Sequence, residues 1–178
     1  MANLPILETH RLKLIPLTEE YITPRYVAWL NDPVIVRFSE QRHKKHTLES
    51  CRKYWQSFTG TPHYFWAVTT IDPNIGHIGN MNAHIDNMNS VADVGILIGE
   101  RILWGRGYGT EAWIAVCNYL LRDIGIRKVT AGTLAVNKGM LRIMKRTGMV
   151  TDGRRIRHRV VDGSEVDIIH TALFGNTR

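Results

Sequence analysis

The apolar positions of this chain change period several times, and each change marks an element. Arg11–Leu17 alternates apolar and polar residues and predicts an edge strand, ended by Pro16-Leu17-Thr18. Thr18 then reads as a helix N-cap, with Glu20 near the first turn and the helix running towards Trp29 and Leu30. Pro24 inside that pattern predicts a break or kink, and Asn31-Asp32-Pro33 a turn. Thr47-Leu48-Glu49-Ser50 is a second capped start, followed by the helical stripe Cys51, Tyr54, Trp55 and Phe58 up to Gly60. The pattern then turns to strands over Tyr64–Thr70, Ile75–Asp86 and Val91–Gly99, with turns at Asp72-Pro73-Asn74 and Asn87-Met88-Asn89-Ser90. A helix from Tyr108 to Ile124 buries Ala112, Val116, Tyr119 and Leu120 and is capped by Gly125.

Lys128–Ala135 is a β-branched strand, and Met140–Thr147 a short helix closed by Gly148. Val150–Asp167 and Ile168–Phe174 read as two closing antiparallel strands, with Asp162-Gly163 as their turn. This order gives an α/β chain with a mixed, mostly antiparallel sheet of about seven strands flanked by helices. Only the two strands around the 108–124 helix need run parallel, through a right-handed crossover. At 178 residues the chain fits one domain over 1–178.

Composition changes this picture little. With 44% hydrophobic and 22% charged residues, the chain is ordinary for a globular protein. No apolar run approaches the ~18–20 residues that span a bilayer. The opening Met-Ala-Asn-Leu-Pro-Ile-Leu-Glu-Thr-His lacks the basic region and apolar core of a secretory leader, so a cytoplasmic location is expected. Cys51 and Cys117 have no metal spacing and read as reduced thiols. His77, His158 and His170 have no metal-ligand spacing either, so no metal is expected. The net charge of +7 gathers in Arg42-His43-Lys44-Lys45-His46 and Arg154-Arg155-Ile156-Arg157-His158-Arg159. A solvated face or edge strand accounts for runs this short, and no signature of specific nucleic-acid recognition is present.

The chemistry concentrates in Trp104-Gly105-Arg106-Gly107-Tyr108-Gly109-Thr110-Glu111-Ala112, a glycine-dense turn running straight into a helix. Glycines let the backbone approach a ligand, and the helix start offers unpaired N–H groups and a positive dipole end, a cradle for phosphate oxygens. A P-loop would need Gly-Lys-Ser/Thr, which is absent. A dinucleotide fingerprint would need glycine where Thr110 stands. The loop instead resembles the Gln/Arg-x-x-Gly-x-Gly/Ala pyrophosphate loop of the GCN5-related N-acetyltransferases. Trp104 in place of Gln or Arg resembles the RimJ/RimL-like branch.

Further segments match that branch in order and spacing over about residues 8–150. Glu8-Thr9-His10-Arg11-Leu12-Lys13-Leu14-Ile15-Pro16-Leu17 resembles its opening strand, and Val91–Ile96 the strand before the loop. Asn137 followed by Arg142, Lys145-Arg146 and Gly148 resembles its asparagine-led helix. Met140 replaces the family serine and Met149 the final phenylalanine; Met144 stands where a catalytic tyrosine occurs in some members. A methionine donates no proton, but a thiolate of pKa about 8.5 is a fair leaving group unaided.

The resemblance implies transfer of an acetyl group from acetyl-CoA, as co-substrate, to a primary amine. It implies that Trp104, Gly105, Arg106, Gly107, Tyr108, Gly109 and Thr110 hold the pyrophosphate, with charge from Arg106, Arg142 or Arg146. Ile96, Leu97 and Ile98 would flank the pantetheine arm in a gap beside the strand that precedes Asn137, which would share in binding and catalysis. From the residues themselves, Asn80, Asn82 and His84 fall on one strand face and Met81, Ala83 and Ile85 on the other. His84, with an ordinary pKa of about 6.5, is the first candidate for general base, and a plain surface histidine is the alternative. Asp93 either orients the acceptor or satisfies backbone donors. Glu40, Arg42 and Asn82 are the candidate acceptor contacts; by the resemblance Glu40 falls in the acceptor loop and would meet an ammonium, with an ordinary surface glutamate as the alternative. Trp29-Leu30-Asn31-Asp32-Pro33, Phe38-Ser39-Glu40-Gln41-Arg42-His43 and Thr47-Leu48-Glu49-Ser50 resemble family members associated with surface-polysaccharide amino sugars. That resemblance implies a small amino-sugar acceptor, with a protein N-terminal amine as the close alternative and a non-catalytic acyl-CoA-binding module as the rival. A homodimer is compatible with the fold implied.

Overall fold

The computed structural model describes residues 4–175. Met1–Asn3, part of the stretch read for a leader, lie outside the described residues. One sheet of eight strands carries the chain: β1 (Leu7–Glu8), β2 (Leu12–Pro16), β3 (Tyr64–Thr70), β4 (His77–Asp86), β5 (Val91–Ile98), β6 (Lys128–Leu134), β7 (Val150–Val161) and β8 (Ser164–Phe174). Their order is β1-β2-β3-β4-β5-β6-β8-β7, antiparallel throughout except for the parallel pair β5–β6. The four α-helices are α1 (Pro24–Asn31), α2 (Leu48–Gln56), α3 (Tyr108–Asn118) and α4 (Lys138–Arg146).

Strand alternation divides the apolar side chains between two layers. Trp66, Val68, Met81, Ala83 and Val94 face α3 and α4, packing with Trp113, Val116 and Met144 in the larger core. Phe65 and Ala67 face α1 and α2, packing with Tyr26, Trp29, Leu30 and Cys51. Burying such side chains contributes roughly 1.5–3 kcal/mol each, so the alternation fixes register firmly. Both cysteines are buried and unpaired.

Several expected boundaries move, for identifiable reasons. The Arg11–Leu17 strand lies one place in from the sheet edge, because Leu7–Glu8 pairs outboard of it. Thr18 caps no helix with its side chain; the α1 cap is Thr23, accepting from Tyr26 N, and Pro24 opens the helix instead of kinking it. At the first helical position proline has no hydrogen bond to lose. Thr47 makes the expected cap, reciprocated by Ser50. The 108–124 helix ends as a π-type turn over Tyr119–Asp123, and β4 begins at His77, two residues later than its apolar pattern. The Val150–Asp167 strand stops at Val161, where Asp162-Gly163 turns the chain at positive φ into β8. No helix among the described residues is long and apolar enough to cross a membrane.

Candidate active site

Two features of β5 and its loop place the site. Strands β5 and β6 pair only over Val91–Asp93 and Lys128–Thr130. Beyond that point Val94–Ile98 pairs with β4 alone, and Ala131–Leu134 with β8 alone. The sheet therefore opens a wedge beside Ile96, Leu97 and Ile98, lined by main-chain groups without a strand partner on that side.

The wedge leads to the glycine loop. Gly107 is the N-cap of α3 at φ +88°, a conformation that side chains disfavour. Among the described residues, the N–H groups of Gly105, Gly107, Tyr108, Gly109 and Thr110 have no backbone acceptor. A Cβ on Gly109 would come within 3.2 Å of Ile143 Cδ1, so α3 and α4 meet closely there. The exposed Trp104 donates its indole N–H to Ile98 O at 2.9 Å and ties the loop to the end of β5. Arg106, Arg142, Lys145 and Arg146 are exposed, and none makes an ion pair among the described residues. Leu141, Arg142, Lys145 and Arg146 line an open depression on α4. These groups suit a diphosphate: free amides in an arc, a helix start, and cations alongside.

The loop is braced from the far edge of the sheet. Glu111, in the first turn of α3, accepts from Thr9 Oγ1 at 2.6 Å, Arg11 N at 2.8 Å and Arg11 Nε at 2.7 Å. Arg11 also donates to Arg106 O at 3.0 Å and lies 4.2 Å from the centre of the Tyr108 ring. Burial pushes the Glu111 carboxyl up, but these hydrogen bonds and the Arg11 charge outweigh it and hold it below the ordinary range.

On the α1–α2 face, β4 and β5 present a polar row. Asn82 donates to Tyr54 Oη on α2 at 3.0 Å, and its Oδ1 lies 2.8 Å from where a Cβ on Gly95 would be. His84 and Asp93 are direct cross-strand partners, both exposed. Asp93 Oδ2 accepts from Thr130 Oγ1 at 2.8 Å across the last paired rung of β5–β6. The His84 ring sits 5.4 Å from Phe58 and 4.8 Å from His63. Desolvation lowers its pKa below 6.5, the His63 ring adds to that, and Asp93 opposes both.

Three expected site residues have other tasks in the fold. Asn137 is the N-cap of α4: its Oδ1 accepts from Met140 N at 3.2 Å and its Nδ2 donates to Thr133 Oγ1 at 3.1 Å. Both ends of that amide are engaged, and a cap is where asparagine is favoured. Glu40 lies in a 3₁₀ turn between Arg42, at 3.0 Å, and Arg159, at 3.4 Å, so its charge is already answered. Arg42 also donates to Ser39 O and Val160 O, and Arg37 pairs with Asp162, docking this turn on the β7–β8 hairpin. Met144, in the tyrosine position, is buried in the core. Tyr54, His63, Thr130 and the Arg11–Glu111 brace escaped the sequence reading. Tyr54 reads there as a stripe residue and His63 carries no sequence signal, so nothing marks their approach to β4. The described residues hold no group of three or more His, Cys, Asp or Glu placed for a metal ion.

Comparison with known proteins agrees with this geometry. The chain is 27% identical over 123 residues to the uncharacterized protein MJ1062 of Methanocaldococcus jannaschii. That match covers 68% of this chain and spans about a quarter (25%) of the curated relative's length. The fold is shared with an acetyltransferase of the GNAT family from Bacillus anthracis, at TM-score 0.80 and 17% identity over 96% of this chain and 98% of that one. It is shared also with RimL, a ribosomal L7/L12 alpha-N-protein acetyltransferase in complex with coenzyme A, at TM-score 0.83 and 15% identity over 98% and 100%. A spermidine N-acetyltransferase from Vibrio cholerae, in complex with CoA and spermine, superposes at TM-score 0.81 and 14% identity over 93% and 96%. The family profile of the acetyltransferase (GNAT) domain matches residues 11–150, from the arginine of the brace to the first residue of β7. The chain belongs to the GNAT acetyltransferases.

Proposed function

We propose that this acetyltransferase, a single domain of the RimJ/RimL-like branch, moves an acetyl group from acetyl-CoA to the primary amine of a small amino sugar carried on an anionic group. The observation that carries the cofactor half is the wedge between β5 and β6 opening beside five free loop amides. Gly105–Thr110 would take the pyrophosphate, with Arg106 and Arg142 beside it and Ile96, Leu97 and Ile98 along the arm. Acetyl-CoA supplies a thioester whose carbonyl carbon is open to an amine.

The chain's own residues manage the protons. His84, its pKa held below 6.5 by desolvation, takes the proton of the incoming ammonium, and Asp93 steadies the imidazolium that results. Asn82 donates into the Tyr54 oxygen, so the phenolic hydrogen remains free to be donated in turn. Tyr54 thereby fills the role that Met144 leaves empty: its proton goes to the departing sulfur as the C–N bond forms and the C–S bond breaks. Asn137 contributes by setting the start of α4, not by touching the reacting atoms.

The acceptor half is supported by charge. The turn opposite α2 carries Arg42, His43, Lys44 and Lys45, and its glutamate is neutralised by two arginines. Such a rim favours an anionic carrier and disfavours a polycation. A thiol-release assay with acetyl-CoA tests this against free and nucleotide-linked amino sugars, N-terminal peptides and spermidine. Turnover confined to peptides would select the protein-amine reading, and coenzyme binding without turnover of any amine would select a binding module.

A further inference from the structure

The ladder between β3 and β4 ends at Tyr64 and Ala83. The next free donor of β4, the Ile85 N–H, is met by a side chain: His63 Nδ1 accepts from it at 3.0 Å. That bond fixes the tautomer, since a ring accepting at Nδ1 carries its hydrogen at Nε2. It also fixes the ring plane. The half-buried His63 imidazole stands edge-on to His84, with centroids 4.8 Å apart and planes at 67°. Phe58, just past the end of α2, lies beside both rings, its centroid 6.3 Å from that of His63 and 5.4 Å from that of His84. His84 is thus bounded by two titratable groups, His63 from the segment entering β3 and Asp93 from β5. The turn that follows α2 contributes the uncharged Phe58 ring.

We infer that His63 is a positioning residue for His84: pinned by the Ile85 N–H, its ring stands edge-on to the neighbouring imidazole and fixes where that ring sits beside its cross-strand partner Asp93. The inference rests on the proposed reading of His84 as general base, but the contact itself does not. A charge on His84 is opposed first by partial desolvation among the packed Phe58 and His63 rings and then by repulsion from any proton His63 takes up, while Asp93 favours it. With His63 removed, the balance tips towards Asp93, and His84 accepts a proton at higher pH. The acceptor would then meet a base already occupied over the acid part of the working range.

His63→Asn separates the two tasks of this residue. The asparagine Oδ1 takes the place of Nδ1 and keeps the Ile85 bond, while the second imidazole is lost. His63→Phe keeps a ring against Phe58 and loses the acceptor, so it serves if the asparagine variant does not fold. NMR titration of the His84 ring, assigned through His84→Gln, is read beside the pH profile of kcat/KM with acetyl-CoA and an accepted amine.

The expected result is an upward move of the His84 titration and an equal move of the acid limb. That amounts to about a three- to tenfold loss of kcat/KM at the acid end, one pKa unit being tenfold, with the alkaline plateau kept. An unmoved His84 titration in a folded variant overturns the inference, as does a uniform fall in rate with the limb in place. A titration that moves while the rate profile stays put upholds the pairing and removes His84 from the role of base.

Discussion

Glu111 accepts hydrogen bonds from both the backbone N–H and the guanidinium of Arg11, 100 residues earlier in the chain. The same arginine holds the carbonyl of Arg106, so the edge of the sheet and the glycine loop are fastened by one side chain. A partly buried carboxylate with three hydrogen bonds is a point of stability as well as of alignment.

Glu111→Gln should therefore destabilise the fold by about 2 kcal/mol, the scale of hydrogen bonds to a charged group. For a chain of this size that lowers Tm by roughly 4–8 °C near neutral pH. The folded carboxyl titrates below its ordinary 4.5. The stabilisation is therefore complete above about pH 4.5 and is lost as pH falls through the depressed value. Calorimetric melts should show wild type and variant converging in acid; a constant gap down to pH 3 would contradict the brace.

Gly107→Glu should abolish acetyl-CoA binding. The position sits at φ +88°, and a carboxylate there would add bulk and negative charge where phosphates are expected. Isothermal titration against wild type reads the outcome directly. Unchanged affinity in a folded variant would exclude the loop as the coenzyme cradle.

The acid limb of kcat/KM should fall below pH 6.5, because desolvation and the His63 ring both lower the His84 pKa and the neutral ring is the active form. His84→Ala should remove that limb and cost about 10²–10⁴-fold in rate on the plateau. A limb that survives the substitution assigns it to another group.

Tyr54→Phe keeps the ring packed on Phe58 and Phe65, at 5.3 and 5.5 Å, while removing the hydroxyl. We expect kcat to fall by about a hundredfold, the low end for an acid acting on a fair leaving group, with acetyl-CoA affinity intact. Gly95→Ala should act in the same direction, since its Cβ would displace the end of the Asn82 side chain that holds Tyr54. Wild-type kcat in both variants would remove Tyr54 from proton transfer.

The periodic parts of the chain were readable at once. The alternation of Met81, Ala83 and Ile85 against Asn80, Asn82 and His84 appears in the structure as written, because a one-residue slip would expose the whole core face of β4. The glycine loop was equally legible, its backbone demands leaving few alternatives to glycine. Caps were harder. Thr18 and Thr23 carry the same local signal, and only the position of Pro24 at the helix start separates them. The fold partners of Glu40 and Asn137 were hidden for a shared reason: Arg159 and Thr133 come from strands whose approach no local pattern declares. Tyr54 and His63 belong to the same class, being ordinary in sequence and significant only through β4.

The wedge between β5 and β6 has one more consequence. Unsatisfied strand edges ordinarily invite other chains to dock and aggregate, and proteins blunt them with charges, bulges or brevity. Here the bare edges lie in the middle of the sheet and face each other across a narrow cleft. A slender flexible molecule can slide between them, whereas a second polypeptide bringing its own sheet cannot. Stickiness towards the right guest and safety from the wrong one thus come from the same gap.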